Sequence, residues 1–120
     1  MSVVSIRGAI TVEENTREAI LDGTLELLGK IEEENHLQKD RVVSIIFSAT
    51  SDLDKAYPAK AARDKGYVDC GLMCFNEMAV EDSLRKCIRV MILYNSDVGQ
   101  HNVRHVYLRD AKGLRPDLVT

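Results

Sequence analysis

One long amphipathic helix stands among several strand-like segments, and that imbalance limits the folds open to the chain. Ile20, Thr24, Leu27, Leu28 and Ile31 share a face at helical spacing, flanked by Leu21 and Leu25. Glu18, Asp22, Glu26, Glu32 and Glu33 fill the opposite side. Asn15 is the predicted N-cap, with Glu18 as its capping-box partner, and Asn35 is expected to close the helix in a left-handed conformation. Before it, residues 3–12 are rich in β-branched side chains and read as a strand. Gly8 inside that strand marks a bulge or a close backbone approach. After it, residues 42–47 form a near-continuous apolar run, as expected of a strand buried on both faces, and lead into the small polar residues 48–52. Pro58 opens a short helix that runs to Lys65 and stops at Gly66. Residues 68–75 and 87–95 read as further strands, and residues 103–108 as a short last one. Residues 76–86 read as a loop with a helical turn.

This order predicts an α+β domain (an α/β-type mixed sheet) of about five strands with one long helix over one face. A single helix cannot cover both faces of such a sheet. The other apolar face has to be buried elsewhere, and association between subunits is the simplest way. No repeat or linker divides the chain, so one domain is expected over residues 1–120. That length cannot hold a dinucleotide-binding domain together with a substrate domain. No run of about eighteen apolar residues occurs, so no membrane span is expected. The first eight residues lack a charged start and a long apolar stretch, so no export signal is expected either. Three cysteines, an odd number, suit a reducing cytoplasm. A net charge of −3, 5% aromatic residues and no recognition motif argue against nucleic acid.

Charge is unevenly distributed along the chain. Residues 13–40 carry nine acidic and three basic side chains, whereas residues 85–120 carry seven basic and three acidic, five of the seven being Arg. Arginine suits forked contact with carboxylate or phosphate. Cys70, Cys74, His101 and His105 superficially suggest zinc, but their spacing fits no zinc finger and a shared ion is not expected. No nucleophile elbow and no phosphate-binding Gly-Lys loop occurs, and no base is marked beside Cys74. Arg89 is the most unusual cation, because it stands within the apolar run Cys87-Ile88-Arg89-Val90-Met91-Ile92-Leu93. A buried guanidinium needs an anion, which is either Glu77 in a structural ion pair or a ligand. Arg7 also lies among apolar strand residues, and two such arginines facing one pocket would suit a substrate with carboxylates.

Several blocks of residues carry a resemblance. They are Ile6-Arg7-Gly8-Ala9-Ile10-Thr11-Val12-Glu13, Glu33-Glu34-Asn35, Phe47-Ser48-Ala49-Thr50 with Asp52-Leu53, and Tyr57-Pro58-Ala59-Lys60-Ala61. Cys87-Ile88-Arg89-Val90, Arg104-His105-Val106-Tyr107-Leu108 and Leu114-Arg115-Pro116-Asp117-Leu118 complete them. In this order and spacing, over nearly the whole chain, they resemble the monofunctional trimeric chorismate mutases of the AroH class. The resemblance implies an isomerase that converts chorismate to prephenate by a Claisen shift, in the shikimate route to phenylalanine and tyrosine. It also implies a pseudo-α/β-barrel homotrimer with active sites in the clefts between subunits, and no cofactor or metal.

The resemblance further implies roles for individual residues. Arg89 would touch the ether oxygen and a carboxylate, Arg7 would bind the side-chain carboxylate, and Tyr107 would add a hydrogen bond. Glu77 and Cys74 would orient the ring hydroxyl, with Glu77 balancing positive charge on the ring. Tyr57 and Leu114 would form apolar walls, and Ala59, Lys60, Arg63 and Arg115 would line the mouth. The chain departs from the family pattern at Tyr57, where phenylalanine is expected, and over residues 64–73. It runs two residues past Leu118, so a longer closing tail is not expected. Two rival readings are a non-catalytic trimeric binder of small anionic metabolites and a trimeric enamine or imine deaminase. The first would bind without turnover, and the second would not need so many cations.

Overall fold

The structure is a computed structural model and describes residues 1–118; the last two residues of the single domain expected over 1–120 lie outside it. Five strands form one mixed sheet: β1 (Ser2–Thr11), β2 (Val42–Ala49), β3 (Gly71–Asn76), β4 (Cys87–Ser96) and β5 (Val106–Leu108). Their spatial order is β3-β2-β4-β1-β5. The central pairs β2·β4 and β4·β1 are antiparallel, and both edge strands lie parallel to their neighbours. Two helices, α1 (Arg17–Asn35) and α2 (Pro58–Asp64), accompany the sheet.

The expected helical face is the one that α1 buries. Ile20, Leu27, Leu28 and Ile31 are fully buried, each burial being worth roughly 1.5–3 kcal/mol relative to exposure. They join Ile6 and Ile10 of β1, Ile45 and Phe47 of β2, and Ile88, Val90 and Ile92 of β4 in one core. Gly8 marks a close approach, as expected. A Cβ there would stand 2.7 Å from the Val106 carbonyl oxygen and 3.1 Å from Ile31 Cδ1. Gly8→Ala is therefore expected to destabilise the fold by roughly 1–3 kcal/mol, measured as a lower denaturant midpoint with an unchanged slope. A midpoint equal to the parent's would show that β5 and α1 can give way.

Both ends of α1 differ from expectation. Thr16 is the N-cap, and its hydroxyl accepts from the Ala19 N–H at 3.1 Å. Asn15 instead spans to the loop after β2, pairing its amide with the Asp54 carboxylate and backbone N–H. His36, not Asn35, takes the left-handed closing position (φ 51°). Asn35 stays helical because its side-chain amide is bonded to Ile31 and to the backbone of Arg104.

The sheet differs from expectation in four places. In β2, Ile45 and Phe47 are fully buried, but Ile46 is half-buried and Val43 exposed, so only one face is covered within this chain. β3 begins at Gly71 rather than residue 68, since the chain is still turning out of α2, with Val68 N–H bonded to the Gly66 carbonyl. β5 begins at Val106 rather than residue 103. Residues 77–86 hold turns and no helical turn, and Asp82 sits at φ 64°, which a right-handed turn cannot include.

Candidate active site

Strand alternation and register sort the candidate residues onto two faces. Ala9 pairs with Arg89 and with Tyr107, Arg7 with Met91, and Ser48 with Arg89. Arg7, Ser48, Arg89 and Tyr107 therefore share the sheet face opposite α1. They line a hollow of about 280 Å³ together with Arg115 from the C-terminal segment, above a floor that includes Ile46 and Met91. Cys74 pairs with Phe47, a core residue, and so lies on the helix-covered face. There it lines a second hollow of about 520 Å³ with Tyr57, Lys60 and Arg63 of the α2 segment and Phe75 at the sheet edge. Within one chain the sheet separates these two groups.

Arg89 is less buried than its apolar strand suggests, because the face it projects from carries no helix; its side chain is 43% exposed. The ion pair with Glu77 is present but loose, with Nε 3.8 Å from Oε2. Glu77 is held elsewhere. Its Oε1 accepts the Ser48 hydroxyl at 2.7 Å, and its backbone N–H bonds to the Ala49 carbonyl. The carboxylate thus stands beside the guanidinium without a hydrogen bond to it, leaving Arg89 donors open to the hollow.

Tyr107 is buried, and burial pushes its hydroxyl's pKa up, while Arg7, Arg115 and Arg89 all draw it down. One phenol thus feels all three arginines. It packs with Ala9, Cys87 and Ala111 in a small second core, against which Leu114 rests. The buried Cys87 thiol, raised to about 11 by burial despite nearby Arg89, stays protonated at neutral pH. The Arg7 Nε is buried and has no hydrogen-bond partner among the described residues. The backbone N–H of Arg7 donates to His105 Nδ1 at 3.0 Å, and its Nη2 lies 3.2 Å from His105 Nε2. Burial first, then Arg7 and Arg115, hold the His105 ring below its ordinary pKa.

Not every candidate stands as expected. Arg115 spends part of its charge on Asp117, with two N–H···O contacts of 3.1 and 2.9 Å, and that pairing holds the Asp117 carboxyl low. Ala59 turns its methyl into the core and does not line the edge hollow. Lys60 is tied to Asp64 one turn on, at 3.0 Å. Tyr57 is 73% exposed and open at the hollow's rim. Burial raises the Cys74 thiol, which is therefore a neutral hydrogen-bonding group and not a thiolate. The Cys70/Cys74 pair lies at the β3 edge of the sheet and the His101/His105 pair beyond β1, beside β5 at the other edge, so they share no site. Ser48 and His105 carried no assigned role from the sequence. Their one signal was position, since Ser48 falls two residues beyond Ile46 on the face that Arg89 shares, and His105 two before Tyr107.

The family model described as chorismate mutase type I matches residues 3–118. The chain is 49% identical over 119 residues to "Chorismate mutase AroH" of Bacillus subtilis (strain 168), covering 98% of this chain and 94% of that protein. It is 50% identical over 117 residues to the protein of the same name from Thermus thermophilus, covering 97% and 96%. A solved chorismate mutase from Clostridium thermocellum superposes with a TM-score of 0.88 at 49% identity, over 90% of this chain and 96% of that one. Full-length identity of this order, a matching fold and a cation-lined hollow on the open sheet face lead to one assignment: the chain belongs to the type I chorismate mutase family.

Proposed function

We propose that the protein is a chorismate mutase, an isomerase that rearranges chorismate to prephenate, and that it works by orienting its substrate and stabilising developing charge. The observation that carries this reading is the convergence of Arg7, Arg89 and Tyr107 on one hollow, with Glu77 alongside but not hydrogen-bonded to Arg89. Chorismate is a dicarboxylate whose enolpyruvyl arm must fold over the ring before the Claisen shift. Cations at fixed separation hold both carboxylates and restrict the arm, which removes part of the entropic barrier. As the ether bond lengthens, negative charge grows on its oxygen. A guanidinium at that oxygen binds the transition state more strongly than the substrate. Arg89 takes this role. Arg7 binds the side-chain carboxylate, with Tyr107 as a further donor. The Glu77 carboxylate, held by Ser48, offsets the positive charge developing on the ring.

The separation of the two hollows supports a site shared between copies of the chain. Ile46, Met91, Met73 and Phe75 lie on the face that no helix covers, and three of the four are exposed. Burying them against another copy removes that apolar surface from water. In the homotrimer implied by the family, the edge hollow of one subunit meets the arginine face of the next, and Cys74, Tyr57, Lys60 and Arg63 complete the site. Leu114 and Arg115 close it from the C-terminal segment. Among the described residues no helix is long and apolar enough to cross a membrane.

The direct test is loss of chorismate absorbance with purified, metal-free protein beside the uncatalysed control. Saturable conversion to prephenate is expected. Binding without turnover by assembled protein would favour the anion-binding alternative. Lys60→Ala is expected to raise KM for chorismate with little change in kcat, and to reduce the dependence of kcat/KM on salt, because its charge acts on approach. An unchanged KM at low ionic strength would remove Lys60 from that role.

A further inference from the structure

β5 pairs with β1 only over Gly8–Ile10, so the outer edge of β1 towards its N-terminus needs other partners. Side chains supply them. Gln100 takes both backbone groups of Ser5, accepting from its N–H at 2.8 Å and donating to its carbonyl at 2.7 Å. His105 takes the next rung, with Nδ1 accepting the Arg7 N–H at 3.0 Å. The backbone of the preceding residue, Arg104, is clasped by the Asn35 amide through contacts of 2.8 and 2.9 Å. The segment that carries the imidazole is thus fastened to the end of α1, and the ring itself to β1.

We propose that His105 is the positioning residue for Arg7, and that only its neutral ring can do this. The inference rests on reading Arg7 as a carboxylate-binding group. Arg7 forms no ion pair among the described residues, and its Nε has no partner. A carboxylate anchor would hold the guanidinium but would compete with an anionic substrate. A neutral imidazole holds the Arg7 backbone without cancelling the charge of its guanidinium. Because Nδ1 accepts from the backbone, the ring's one proton sits on Nε2. Nε2 then carries a hydrogen and cannot accept from Nη2, 3.2 Å away, so the ring fixes Arg7 through its backbone and leaves the guanidinium donors for the hollow.

Protonation would place a second hydrogen on Nδ1, directly facing the Arg7 N–H, and a new cation beside Arg7. The surrounding groups oppose it. Arg7 faces the ring from β1 and Arg115 from the C-terminal segment. Arg104 and His101 line the polar hollow on its other side, where Glu34 from α1 is the one acidic group among the described lining residues, and Asp117 faces Arg115 and Arg7 from the C-terminal segment. The ring's pKa in the folded protein lies below the ordinary 6.5, so the Arg7 anchor is present above that pH and is lost as pH falls through the folded value.

The test combines nitrogen NMR of the His105 ring with pH profiles of the intact enzyme. The ring should show the Nε2–H tautomer and titrate below pH 6.5, and the Arg7 Nε resonance should shift with the same midpoint. KM for chorismate should rise several-fold as pH falls through that midpoint, with kcat changing less. His105→Asn keeps an acceptor for the Arg7 N–H but does not titrate, and should flatten that rise. His105→Phe removes the acceptor and should raise KM about tenfold at pH 7.5. An Nδ1–H tautomer, a midpoint at or above 6.5, or wild-type KM with an unaltered profile in folded His105→Asn would overturn the proposal. If the parent protein does not convert chorismate, the functional reading fails by itself. The tautomer and the shared Arg7 midpoint then still decide whether His105 positions Arg7.

Discussion

Arg89→Ala is expected to lower kcat for chorismate by at least about a hundredfold while the protein remains folded and assembled. The loss falls on kcat because the charge that Arg89 meets is small in the substrate and large in the transition state. A residue that bound both states equally would change KM instead. The fold should survive because nothing depends on Arg89 for burial. Its side chain is 43% exposed, and Glu77, its neighbour at 3.8 Å, keeps the Ser48 hydroxyl and its own backbone bond to Ala49. Steady-state kinetics on Arg89→Ala, with a denaturant titration beside the parent, test both parts. Near-normal kcat in a folded variant would assign the electrostatic work elsewhere, and unfolding would show the Glu77 contact to be structural.

Mixing two crippled variants should restore activity. Arg89→Ala damages the open-face hollow, and the pair Lys60→Ala with Arg63→Ala damages the edge hollow. If each active site takes one hollow from each of two neighbouring subunits, neither variant alone has an intact site. Co-assembly at equal amounts joins the two intact halves at about a quarter of the interfaces in a cyclic assembly. The activity, read as kcat/KM with substrate well below KM, should then exceed the sum for the separate variants several-fold. Mixing preformed assemblies without exchange supplies the control. No gain after verified co-assembly would mean that each chain builds its own site, which would require a rearrangement of the sheet edge.

The helix was legible from its apolar period near 3.6, and most strands from their β-branched and apolar runs. Element ends were not. Asn15 and Asn35 are both good capping residues, yet each is diverted by a distant backbone, at Asp54 and at Arg104. No local signal announces such a partner. The site was legible in part. Arg7 and Arg89 stood out as cations in apolar strands with Glu77 as a candidate partner, and the family pattern supplied the roles of Glu77, Tyr107 and the α2 residues. Ala59 shows where position in a motif says too little, because the same short helix points Lys60 to the hollow and the Ala59 methyl to the core.

By itself the sequence determined that Arg7 and Arg89 stand as cations within apolar strands, the strand alternation that puts Arg7 and Ala9 on one face of β1, and the glycine that lets α1 come close. These are local matters of side-chain period and volume. Tertiary structure alone decided that Ser48, not Arg89, holds Glu77 by hydrogen bond, that His105 completes the edge of β1 at Arg7, and that the sheet divides the candidate residues into two hollows. Those outcomes depend on register between strands far apart in the chain, where a shift of one residue would turn Arg7 and Arg89 into the core.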